Sequence, residues 1–64
     1  MMNKQELIST IKGQLQVEQY QLGGLMARCN EHDVAFDVDQ DKGLILFPHL
    51  ANHYLVIVDT VRGY

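Results

Sequence analysis

The chain has 64 residues, 47% of them apolar and 20% charged, a net charge of −3 and a single cysteine. So short a chain makes one domain with a marginal core, because it hides only about 60% of the surface that its unfolded form exposes. One cysteine excludes an internal disulfide, no run of about 18 apolar residues exists to span a membrane, and the N-terminus lacks the apolar stretch of a secretory signal, so a cytoplasmic protein is expected.

Asn3 followed by Glu6 is a capping-box pattern, and it starts a helix at about Lys4. At about 100° per residue, Leu7, Ile8, Ile11, Leu15, Leu22, Leu25, Met26 and Cys29 share one sector. That register runs through Gly23-Gly24, where a break is the alternative because each glycine costs about 1 kcal/mol in a helix. The kept phase predicts one helix over about residues 4–30, with Glu18 inside its apolar stripe where the helix passes the end of a sheet. Next, "VAFDV" alternates, "DQDKG" has turn chemistry with Gly43 at positive φ, and "LILF" is an apolar run, which together read as a hairpin. "PHLAN" is a second turn, with Asn52 as its turn residue, and it leads into the strand "YLVIVDTV". The expected fold is α+β: a long N-terminal helix on a three-stranded antiparallel meander at about 34–38, 44–47 and 54–61.

This outline leaves apolar surface unaccounted for. Leu44 to Phe47 and Tyr54 to Val58 are apolar on both faces of a strand, yet one helix covers one face. Gly13, Val17, Tyr20, Gly24 and Ala27 form a second helix stripe at 4-3-4-3 spacing, suited to close approach by another helix. A 27-residue helix is also about 40 Å long, more than a sheet of such strands can cover. A homodimer answers all three observations, with Gly13, Val17, Tyr20, Gly24, Ala27, Tyr54, Val56 and Val58 as the candidate dimer or partner interface and the edge over Val61 to Tyr64 as a further contact.

"CNEH" and "HLANH" bring Cys29, His32, His49 and His53 into a Cys-x2-His, His-x3-His pattern. The meander topology puts the helix C-terminus and the second turn at the same end of the sheet. The four are thus candidate ligands for tetrahedral zinc, which takes four N or S donors and supplies folding free energy that a small core lacks. The bland readings are a core cysteine and a polar turn. A cysteine–histidine dyad is the minimum for nucleophilic catalysis, but a core position makes Cys29 inert, and a chain this short has little material for a pocket.

Five of the eight acids lie between Glu31 and Asp41, and Asp33, Asp37, Asp39 and Asp41 form a candidate acidic surface for a basic protein. The bases Lys4, Lys12, Arg28, Lys42 and Arg62 are scattered, so nucleic-acid binding is not expected. "DVDQDKG" approaches a calcium loop, but its glycine comes one position late and the twelfth position is Pro48 instead of Glu. The five glutamines from Gln5 to Gln21 give the helix an uncharged polar surface. The expectation is a non-enzymatic, homodimeric protein-interaction module, an adaptor, inhibitor or regulator, needing no cofactor. The alternatives are a small domain stabilised by zinc on the one cysteine and the three histidines and, third, a small cysteine-dependent enzyme.

Overall fold

The computed structural model describes residues 2–59, which form two helices and a four-stranded mixed sheet. In chain order these are α1 (Lys4–Lys12), β1 (Gln16–Glu18), α2 (Gln19–Glu31), β2 (Asp37–Asp39), β3 (Leu44–Phe47) and β4 (His53–Val58). The class is α+β, as read from the sequence, but the long helix is replaced by two shorter ones with a strand between them. The C-terminal edge at Val61 to Tyr64 lies outside the described residues.

The first helix starts where the capping box puts it. Glu6 N–H donates to Asn3 Oδ1 at 2.8 Å, and Asn3 N–H donates to Glu6 Oε1 at 3.0 Å, so two otherwise orphaned groups satisfy each other. The helix ends at Gly13, whose N–H reaches the carbonyls of Ser9 and Thr10, and Gln14 N–H donates to Ile11 O at 3.1 Å in a tightened last turn. The break thus falls at Gly13, ten residues before the glycine pair, and α2 runs straight through Gly23-Gly24.

A continuous helix would leave one edge of β4 with unpaired backbone groups, a costly state for a central, largely apolar strand. In the fold β1 fills that edge. It pairs parallel with β4, Gln16 opposite Val56, Val17 opposite Ile57 and Glu18 opposite Val58, while Val56 N–H donates to Leu15 O at 3.1 Å. Leu15, the one residue joining the two halves of the predicted apolar stripe, is 80% exposed. Glu18 lies on a strand and at the start of α2, not on a helix face passing the end of a sheet.

The sheet order is β1-β4-β3-β2, and β2, β3 and β4 form an antiparallel meander, but its first strand is Asp37–Asp39 and not about 34–38, because Val34 is used in closing α2. Two turns set its register. Asp39 Oδ1 accepts from Lys42 N–H at 3.1 Å, and Gly43 takes φ +66 just before β3, as its place in "DQDKG" predicted. Between β3 and β4, Ala51 and Asn52 both have positive φ, at 55 and 57, and His53 N–H donates to Leu50 O to close the turn.

Both helices pack on one face of the sheet. Leu7 and Ile11 of α1 and Leu22, Leu25 and Cys29 of α2 meet Val17, Ile45, Phe47 and Leu55 from the strands, with Val34 from the loop. The second helix closes on this core with a Schellman motif. Val34 N–H donates to Cys29 O at 2.8 Å and Asp33 N–H to Asn30 O at 3.4 Å, with Asp33 at φ +57, so buried Val34 folds back against the last turn.

Within α2, Gly23 is exposed, and a Cβ built on it meets nothing within 4 Å. Gly23→Ala is therefore expected to stabilise the protein by about 0.5–1 kcal/mol, by lowering the conformational freedom of the unfolded chain. Urea titration followed by circular dichroism measures this, and a lower midpoint in the variant would contradict the placement of Gly23 in an open helical turn.

Candidate functional site

The alternation of β3 and β4 divides their apolar residues between two environments. Ile45, Phe47 and Leu55 face the helices and are buried, whereas Leu44, Leu46, Tyr54, Val56 and Val58 occupy the alternate positions. The register sets these five side by side, Leu44 opposite Val56 and Leu46 opposite Tyr54, on the face that neither helix covers. Tyr54 is 54% exposed and Val56 47%. This is the surplus that the two-faced apolar strands announced.

The edges of this open face carry polar side chains. On one flank, Asp37 pairs with Leu46 and Asp39 with Leu44. On the other, Gln16 and Glu18 pair with Val56 and Val58. No lysine or arginine occurs in any of the four described strands. The candidate site is thus an apolar strip on β3 and β4 with acids on the flanking strands.

Of the remaining interface candidates, Gly13 caps α1 and Val17 is 6% exposed on the core side of β1. Tyr20, Gly24 and Ala27 lie on α2 and are exposed, Tyr20 to 71%. The 4-3-4-3 stripe therefore does not exist as one helix face, because Gly13 and Val17 belong to other elements. The acidic candidates are divided as well. Asp37 and Asp39 border the open face, Asp41 is in the turn before β3, and Asp33 terminates α2.

The four candidate metal ligands lie near one end of the sheet but do not converge. Cys29 and His49 line one surface hollow with Asn30, Asp33, Val34 and Ala35. His32 reaches its sequence neighbour, Nε2 to Glu31 Oε1 at 3.7 Å. His53 Nε2–H donates to Gln14 O at 3.0 Å, fastening the start of β4 to the segment that leads into β1. Among the described residues, no group of three or more His, Cys, Asp or Glu side chains is placed to hold a metal ion.

Cys29 is fully buried, and burial pushes its thiol pKa above the ordinary 9.0, with the Arg28 charge opposing the shift. The folded thiol keeps its proton to higher pH than the unfolded one. Its contribution to stability is thus full below the ordinary value and is lost as pH rises through the folded value. The buried, protonated sulfur also predicts slow chemistry. Cys29 in the native protein is expected to react with a maleimide at less than about a tenth of the rate in guanidinium. Equal rates would mean that the sulfur is accessible.

No helix among the described residues is long and apolar enough to cross a membrane. Comparison with family models, curated proteins and solved structures finds no match to this chain.

Proposed function

We propose that this chain is a non-enzymatic protein-interaction module, an adaptor, inhibitor or regulator in the cytoplasm, and that the open face of its sheet is the contact surface. The observation that carries this reading is the continuous strip of Leu44, Leu46, Tyr54, Val56 and Val58 outside the core. Scattered apolar residues on a surface are ordinary; a contiguous strip bordered by polar side chains is a common mark of a protein contact. A 64-residue domain also gains from covering such a strip, since its own core is small.

Self-association, the expectation from the sequence, keeps one of its three supports. The two-faced apolar strands remain, but the 40 Å helix and its small-residue stripe do not, because α1 and α2 are separate elements. Catalysis gains no support from a buried cysteine with a raised pKa. Zinc gains none, because no three such side chains among the described residues are placed to share an ion.

A photo-crosslinking side chain placed at Tyr54, in the protein's own cells, tests the reading, with the same group at exposed Ser9 on α1 as the control. One discrete adduct from position 54 and none from position 9 is expected, its identity read by mass spectrometry. Equal labelling from both positions, or none from 54, would remove the open face as a contact surface.

A further inference from the structure

Size and charge together narrow the occupant of the open face. The apolar residues lie on the two central strands and run from Tyr54 to Val58 on β4, five residues, so the strip is about 16 Å long and about as wide as one helix, some 10 Å. A helix of about 11 residues, three turns, has that length. The sheet already holds α1 and α2 on its other face by the same kind of contact.

The charges decide what kind of helix fits. Asp37 and Asp39 run along the β2 flank at the register of Leu46 and Leu44. Of the described cations, Lys4, Lys12 and Arg28 are on the helices of the opposite layer, and Lys42 is in the turn between β2 and β3. A second copy laid sheet to sheet brings the same acidic flanks with it. In aligned packing, with the strands of the two sheets within about 30° of each other, β2 of one copy lies over β2 or β1 of the other, and in orthogonal packing it crosses several strands; none of the described strands carries a lysine or arginine. Like charges at the rim select against that arrangement and favour a partner of opposite sign.

Resting on the open face as the contact surface, we propose that its occupant is an amphipathic helix of another protein, three to four turns long, with an apolar stripe flanked by lysines or arginines. The stripe covers Leu44, Leu46, Tyr54 and Val56, and the flanking cations meet Asp37 and Asp39.

The test titrates the full chain, labelled for amide NMR, with three helical peptides of about 14 residues that share one leucine stripe and differ only in flanking Lys, Gln or Glu. The Lys-flanked peptide is expected to shift the amides of Leu44, Leu46, Tyr54 and Val56. Its Kd should weaken at least about fivefold between roughly 50 and 500 mM salt, and the Glu-flanked peptide should bind at least about tenfold more weakly. Asp37→Lys with Asp39→Lys should reverse that preference. Asp37→Lys alone, which keeps the Asp39 bond to Lys42 N–H, should reduce it with the turn intact.

Equal binding of all three peptides, binding of none, or shifts confined to other surfaces would overturn the proposal. Shifts of the same amides with protein concentration in the absence of peptide would make the occupant a second copy and overturn it too. Those results leave the crosslink at position 54 to stand or fall by itself, so failure of the helix proposal and failure of the contact surface are distinguishable.

Discussion

Phe47→Ala is expected to remove a large part of the protein's stability. Phe47 is fully buried, the largest of the side chains so enclosed, at the end of β3 opposite His53. Truncating a buried phenylalanine costs about 3–5 kcal/mol, part of it lost transfer energy and part the cavity left behind. At the usual 0.05–0.15 kcal/mol per residue, a chain of this length has about 3–10 kcal/mol in all, and the buried apolar set among the described residues is ten. The loss is a large part of the total. Circular dichroism and urea titration of wild type and variant measure it, and a change below about 1 kcal/mol would mean that the core lies elsewhere.

The parts of this fold set by local chemistry were legible in the sequence. Asn3 and Glu6 fix the start of α1 through bonds three residues apart, Gly43 carries the positive φ that its turn needs, and β3 occupies the predicted 44–47. What was not legible depends on a partner distant in sequence. Gln16–Glu18 becomes a strand because β4, about 40 residues later, has an open edge, and no helix propensity or phase records that need.

Phase misled for a definable reason. Ile11 and Leu22 are eleven residues apart, close to three helical turns, so two separate helices facing one core keep the register of a continuous one. A better signal was present in Leu15-Gln16-Val17-Glu18, which alternates apolar and polar with period two over a stretch that also holds Gly13 just upstream. The same limit applies to the site. Apolar strands with two apolar faces announced an uncovered surface, and Tyr54, Val56 and Val58 were named for it, but Leu44 and Leu46 join them only through the β3–β4 register. The histidines show the converse. Spacing suggested a shared site, whereas His53 is used in a bond to Gln14 O, and Gln14 precedes a strand that the sequence reading did not contain.

Adjacent residues of β4 are expected to give opposite results when each is replaced by glutamate. Leu55 is fully buried under the helices, and Leu55→Glu puts an unpaired carboxylate into the core, which costs more than this domain has to lose. Val56, the next residue, points to the open face and is 47% exposed. There the carboxylate stays in water, and the folded state loses only about 1 kcal/mol of strand preference and cross-strand contact with Leu44. The interaction should suffer far more. Burying that charge under a partner, beside a rim that is already acidic, should weaken capture at position 54 at least about tenfold while the circular dichroism spectrum is unchanged. A folded Val56→Glu variant that still crosslinks from Tyr54 like the wild type would show that the strip is surface and nothing more. An unfolded Val56→Glu variant would place Val56 in a core that this fold does not have.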